Sequence, residues 1–214
     1  MTTVERREVS IATPDATLAG EAWLPAGAQG IVLFAHGSGS SRLSPRNRYV
    51  AGEIVSGGLG TLLFDLLTVA DERRDRLDAS LRFDIGLLTE RLAAATRWLG
   101  AQPWATSLTR GYFGASTGAA AALAASVDCD VKAIVSRGGR PDLAGAALPG
   151  VTAPTLLIVG SHDPVVIDLN RRALAELTCE ARLEIVPGAT HLFEEPGTLE
   201  QVAALATAWF QRWL

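Results

Sequence analysis

Gly114-Ala115-Ser116-Thr117-Gly118 decides how this chain is read. The stretch fits G-x-S-x-G, and its flanks give the match its meaning. Upstream lies Leu108-Thr109-Arg110-Gly111-Tyr112-Phe113, a short β-like segment. Downstream runs Ala119-Ala120-Ala121-Ala122-Leu123-Ala124-Ala125, built from the strongest helix formers. A strand that turns sharply into a helix at a serine is the setting of a nucleophile elbow. The glycines let such a turn hold a strained backbone and pack closely. The helix N-terminus offers free N–H groups to a developing negative charge. The pattern alone is weak, since a chain this rich in Gly and Ser matches it by chance in roughly one case in ten. A plain Gly-rich strand–helix turn is the alternative, and the residues downstream weigh against it.

Outward from the elbow, β-like and helix-like segments alternate, which implies a mainly parallel sheet with helices on both faces. An antiparallel start is expected from Arg6–Ile11 and Leu18–Leu24. Further strands are expected at Gly30–His36, Thr61–Asp65, Thr109–Phe113, Val131–Ser136, Thr155–Gly160 and Arg182–Val186. Ile31–Phe34 and Leu156–Val159 are continuously apolar, as strands covered on both faces should be. Helices are expected at Arg46–Ser56 and Phe83–Leu99, and after Ser116, Pro164 and Gly197; Leu87, Leu88, Leu92, Ala95 and Leu99 recur at helical spacing. The charged run Asp71–Arg76 reads as a solvated loop. Trp209, Phe210 and Trp213 of the last helix read as core. About 15 residues separate the strand ending near Ser136 from the one starting near Thr155, too few for a large helical lid. The expected architecture is a single α/β domain over residues 1–214: about eight strands, flanking helices and an open site.

A serine hydroxyl needs a base within hydrogen-bond reach, and the base needs an orienting carboxylate. On such a sheet the chain order is Ser, then Asp or Glu, then His. Of His36, His162 and His191, only His191 follows both Ser116 and a strand-end acid. That acid is Asp163, at the carboxyl edge where open α/β sheets gather catalytic groups. Asp163 also precedes Pro164 and so reads as a helix N-cap, a role compatible with the first. Asp168 is the fallback acid, on the helix itself, and His162 reads as an exposed neighbour. The predicted catalytic set is Ser116, Asp163 and His191. The predicted oxyanion donors are the N–H groups of Thr117 and of Ser38, in the loop His36-Gly37-Ser38-Gly39. His36 reads as structural, its ring tying that loop down. A phosphate-binding reading of the loop lacks both G-x-x-x-x-G-K-[ST] and G-x-G-x-x-G. Gly37 and Arg137 are candidate substrate contacts. Arg137 reads first as half of an internal ion pair, with Asp65 or Asp142, and otherwise as an anchor for a substrate carboxylate or phosphate.

Composition narrows the partners. Of 214 residues, 48% are hydrophobic, which indicates a folded core. A net charge of −4 argues against nucleic acid. No apolar run reaches the ~18 residues of a membrane span, and the N-terminus lacks the apolar stretch of a signal peptide. The two cysteines, Cys129 and Cys179, form no metal spacing or disulfide framework, so a reducing cytoplasmic setting is expected. The histidines do not cluster; neither a metal nor another cofactor is expected. The expected partner is a small-molecule ester substrate, with the protein a monomer or homodimer and no membrane or nucleic acid involved.

On His36-Gly37-Ser38-Gly39, Gly114–Gly118, Gly160-Ser161-His162-Asp163 and Gly188-Ala189-Thr190-His191, the chain resembles the α/β-hydrolase superfamily. Its size and missing lid look most like the dienelactone hydrolase family. Members of that family use a cysteine nucleophile where this chain has Ser116, which moves the expected substrate from dienelactone towards ordinary esters. The chain also resembles bacterial hydrolases fused to a phosphoribosyltransferase domain, and no stretch of it reads as that domain. The resemblance implies ester hydrolysis through an acyl-enzyme, with lactone, thioester or peptide substrates sharing the same chemistry. A non-catalytic binding protein on this fold is a second reading. A cofactor-free haloperoxidase or acyltransferase is a third.

Overall fold

In the computed structural model, which describes residues 3–214, β1 (Val4–Ala12) folds back antiparallel on β2 (Thr17–Pro25), as expected. β2 runs antiparallel to β4 (Gly60–Phe64). From there the sheet is parallel through β3 (Gly30–Ala35), β5 (Thr109–Ala115), β6 (Ala133–Arg137), β7 (Thr155–Gly160) and β8 (Ala181–Val186). The strand order is β1-β2-β4-β3-β5-β6-β7-β8. The chain leaves β3 in one direction to build β4 and then crosses back to build β5 on the other side. Such a switch point opens a crevice at the carboxyl ends of the two strands. The loop after β3 carries Gly37 and Ser38, and the turn after β5 carries Ser116.

Successive strand residues face opposite layers, so β3 feeds two cores. Ile31, Leu33 and Ala35 pack with α3 (Ile85–Gly100) and α4 (Thr117–Ala125). Val32 and Phe34 pack with α1 (Pro45–Ser56) and α6 (Thr198–Trp213), where Trp209 and Phe210 are buried and Trp213 is partly so. Phe34 stacks on Phe113 of β5 at 4.8 Å between centroids, worth about 0.5–1.5 kcal/mol beyond the area buried. Helix starts follow local chemistry. Ser44 accepts from the Asn47 N–H and Pro45 takes the first turn of α1; Pro164 does the same for α5 (Pro164–Glu176).

Two expectations change. β6 begins two residues later than predicted and ends one later, which draws Arg137 into the sheet, paired with Ala115 on one side and Ile158 on the other. The run Asp71–Arg76 is helical, inside α2 (Val69–Asp78). A capping box starts it: the Asp71 N–H donates to Thr68 Oγ1 at 3.1 Å, and the Thr68 N–H donates to Asp71 Oδ2 at 2.9 Å. Buried Arg91 of α3 then clamps the helix, donating to Asp71, to Asp15 and to the Leu66 carbonyl. Its bonds hold the Asp15 carboxyl below the usual carboxylate range. Asp75 turns inward and accepts the Leu81 and Arg82 N–H groups, each at 2.9 Å. A helix fixed by partnered charges has no apolar stripe to betray it. Between β6 and β7 the chain makes only a 3-10 run, Pro141–Gly150, and no helical lid. Among the described residues no helix is long and apolar enough to cross a membrane.

α2 ends on Ala79 in the left-handed region, at φ 56°. An L side chain there costs about 1–2 kcal/mol, and glycine avoids the clash at some entropic cost. Ala79→Gly should therefore raise stability by about 1 kcal/mol or less, read as a higher urea midpoint at unchanged m-value.

Candidate active site

Ser116 joins β5 to α4 with φ 50° and ψ −119°, a conformation that non-glycine residues rarely adopt. The surroundings hold it there. Its N–H donates to the Arg137 carbonyl at 3.3 Å, and its own carbonyl accepts from Ala119 and Arg140, each at 3.1 Å. The two glycines of the motif permit the geometry by close approach. A Cβ on Gly118 would overlap the Ala35 carbonyl, and one on Gly114 would lie 2.7 Å from the Ala119 nitrogen. The serine side chain makes no capping bond to α4, and Ser116 is half-buried.

Asp163 and His191 come together: His191 Nδ1 lies 2.6 Å from Asp163 Oδ2. Asp163 occupies the N-cap position of α5, yet its side chain makes no capping bond. The position is that of a cap, and the carboxylate serves the imidazole instead. The alternatives lie elsewhere. His162 is exposed, and Asp168 is an exposed α5 residue paired with Arg171 at 3.3 Å. The His191 loop is fixed by Glu195, which accepts the Thr190 hydroxyl at 2.6 Å and the Thr190 N–H at 3.0 Å. Those two bonds, the hydroxyl's first, hold the Glu195 carboxyl below its usual range. Sequence reading passed over Glu195; the spacing Thr190 to Glu195 in a turn was the available signal. Ser116 and His191 converge on Arg137–Gly138. The first hydrogen-bonds the Arg137 carbonyl, and a Cβ built on Gly138 would lie 3.6 Å from His191 Cε1.

The loop after β3 is organised by His36, which is buried. Its Nε2 lies 2.9 Å from the Leu66 backbone nitrogen, which only donates, so Nε2 is unprotonated. Nδ1 therefore carries the hydrogen and donates it to the Gly37 carbonyl at 3.0 Å. Ser40 N–H donates to the same carbonyl at 3.2 Å. With the Gly37 C=O pinned, planarity of the trans peptide turns the Ser38 N–H the opposite way. Gly37 also lets the loop approach Ser116: a Cβ there would stand 3.1 Å from Ser116 Cβ. Thr117, the first residue of α4, has by position no intrahelical acceptor for its N–H. Gly37, Ser38 and Thr117 all line an open cleft of about 580 Å³. Its walls include Leu67 and Leu88 and, from the stretch taken as a solvated loop and just beyond, Glu72, Asp75, Arg76 and Arg82.

Arg137 corrects the ion-pair expectation. Asp65 is engaged by the Arg42 side chain and by the Arg42 N–H at 2.7 Å. Asp142 is engaged by Arg140 at 2.9 and 2.8 Å. Asp65 follows β4, three strand spacings from β6 or about 14 Å across the sheet, and Asp142 has a nearer guanidinium two residues away. Arg137 is only 8% exposed, and its buried Nη1 has no hydrogen-bond partner. Burial, with the positive charge of Arg46 behind it, lowers its pKa to about 10.

No family model matches the chain. The chain is 58% identical over 205 residues to proteins of two Mycobacterium tuberculosis strains, each provisionally named a phosphoribosyl transferase. The match takes in 95% of this chain and 45% of theirs, so the chain spans about half the length of those relatives. Among solved structures it is similar to a dienelactone hydrolase from Anabaena variabilis, with TM-score 0.97 and 55% identity over 99% of each chain. An esterase of Pyrococcus furiosus shares the fold at TM-score 0.78 and 18% identity, over 98% of this chain and 93% of that one.

Burial pushes the His36 pKa down, against smaller opposing effects from its bond to Gly37 and from Asp65 and Glu72. The unfolded chain therefore binds a proton that the folded loop refuses, and stability rises with pH. Unfolding free energy should fall as pH drops below the ordinary imidazole value of about 6.5. In His36→Gln this dependence should be shallower, as measured by urea titrations between pH 7 and pH 5.

Proposed function

The chain belongs to the dienelactone hydrolase-like family of α/β-hydrolases, and on that premise we propose that it is a serine hydrolase of carboxylic esters with small or short-chain acyl groups. The observation that carries the proposal is an out-of-region serine at a strand–helix elbow sharing one sheet edge with an aspartate-paired histidine. Ser116 Oγ attacks the ester carbonyl carbon while His191 Nε2 takes the hydroxyl proton. Asp163 holds the Nδ1–H and stabilises the imidazolium. The oxyanion of the tetrahedral intermediate accepts from the Thr117 and Ser38 N–H groups. The intermediate collapses, the C–O bond to the alcohol breaks, and the alcohol leaves with the proton from His191. Water then repeats the sequence on the acyl-serine, releasing the acid and restoring the hydroxyl. A lactone is a cyclic ester and enters by the same steps, its alcohol remaining tethered to the acid. Cys129 and Cys179 are free thiols, in keeping with a reducing cytoplasmic setting.

Ser116→Ala should lower ester hydrolysis by several orders of magnitude with the fold intact, and a fluorophosphonate probe should label Ser116 in the parent protein. Labelling at another serine would overturn the assignment. Asp163→Asn should preserve the fold and lower kcat by a factor on the order of 10⁴, since the imidazole loses its orienting charge.

The short β6–β7 connection supports a second expectation. With p-nitrophenyl esters of graded length, kcat/KM should peak at short acyl chains. No rate jump should appear as a long-chain ester crosses its critical micelle concentration. A preference for long-chain emulsions would defeat the open-site reading.

A further inference from the structure

We propose that Asn170 is a positioning residue for the oxyanion donor Thr117 N–H, acting through two peptide groups without touching the substrate. The proposal rests on the ester-hydrolase reading for the role of that donor and on a line of hydrogen bonds for the rest. α5 buries Val166, Ile167, Asn170 and Ala173, an apolar stripe interrupted by one amide. Asn170 is fully buried. Asparagine is a poor residue for a helix interior, and burying its amide is unfavourable unless its bonds are made. Its Oδ1 makes none. Its Nδ2 makes two, to the Val166 carbonyl one turn back at 2.8 Å and to the Gly139 carbonyl, 31 residues away, at 3.0 Å. The first bond is local to the helix. The second reaches the segment that supports Ser116.

The Gly139 carbonyl and the Arg140 N–H belong to one trans peptide group, so they point in opposite directions. Asn170 donates to the carbonyl on one side, and on the other the N–H donates to the Ser116 carbonyl at 3.1 Å. The Ser116 carbonyl shares the next such peptide with the Thr117 N–H, and it accepts a second bond from the Ala119 N–H at 3.1 Å. With that carbonyl pinned, the Thr117 N–H is turned the opposite way, and Thr117 lines the cleft. The donors therefore run in a line from Asn170 through Arg140 to Thr117, each polarised by the one behind it. The middle link is tightly seated. A Cβ on Gly139 would overlap Ser136 Oγ and stand 2.6 Å from Ala119 Cβ, so the backbone there is wedged between β6 and α4. The Gly138 N–H donates to the Ile158 carbonyl at 2.7 Å and fixes the chain just before it. Asp163 caps the start of the helix that carries Asn170, about two turns away. One helix thus holds both the acid that meets His191 and the amide that braces the elbow.

The test is Asn170→Leu, which keeps the volume and removes the donor. With p-nitrophenyl butyrate, kcat should fall about ten-fold and KM should change less than two-fold, because the oxyanion bond forms only on the way to the transition state. Affinity for phenylboronic acid, whose adduct with a serine is tetrahedral and anionic, should fall by the same factor as kcat/KM. The pH midpoint of kcat/KM should stay where it is, since the Asp163–His191 pair is untouched. Hydrogen exchange at the Arg140 amide should speed up. Asn170→His, which offers a ring N–H in place of the amide, should recover part of kcat. Asn170→Ala serves as the second variant should Asn170→Leu fold poorly. Ala173→Gly weakens the same helix one turn on, and it should lower Tm while leaving kcat unchanged. An unchanged kcat in the Asn170 variants, a loss confined to KM, or a loss with a shifted pH midpoint overturns the proposal. Faster Arg140 exchange in Asn170→Leu, with no ester hydrolysed by the parent protein, leaves the hold of Asn170 on the elbow standing and overturns the ester-hydrolase reading.

Discussion

The contact between α4 and the end of β3 is the constraint on which the remaining geometry depends. Gly118 rests against the Ala35 carbonyl so closely that no side chain fits between them. That approach forces the chain to leave β5 and enter α4 within one residue, and the residue is Ser116 at positive φ. The strain, of order 1–3 kcal/mol, is offset by three hydrogen bonds from the Ser116 peptide groups and by the alanine-rich helix packed behind them. The same closeness brings the Gly37 loop against the serine Cβ. The elbow serine, the Gly37 loop beside it and the crevice are consequences of one tight packing event between a helix and a strand.

Polar groups at the sheet edge are largely held by fixed partners. His36 is locked in one tautomer by a donor on one nitrogen and an acceptor on the other. Asp163 forgoes the cap of its own helix to hold His191. Arg91 binds two carboxylates and a carbonyl, fixing a helix that walls the cleft. Arg137 breaks the pattern, buried without a counter-charge.

Much of this was legible in the sequence because it depends on short-range patterns. Apolar runs gave β3 and β7, and the alanine run after Ser116 gave α4. The order Ser116, Asp163, His191 singled out one histidine of three, and the structure joins the last two at 2.6 Å. The antiparallel start and the short β6–β7 connection followed from segment lengths. α2 was hidden because its stability comes from a capping box and from Arg91, twenty residues from Asp71, and hydrophobic periodicity registers neither.

The fate of Arg137 belongs to tertiary structure alone. Its sequence neighbourhood offers Asp142, and chemistry suggests Asp65. Which carboxylate meets which guanidinium depends on strand order and on a one-residue extension of β6, and both acids go to other arginines. The wall of the cleft is a similar case, since α2 and Arg82 reach the site only through the crossing that returns the chain to β5. Sequence by itself determined the elements, their alternation and the residue types able to do chemistry, because backbone propensity and hydrophobic period act over a few residues. Tertiary structure decided which charges are paired and which are left over, because electrostatic partnership is settled across the sheet, between residues that local pattern cannot bring together.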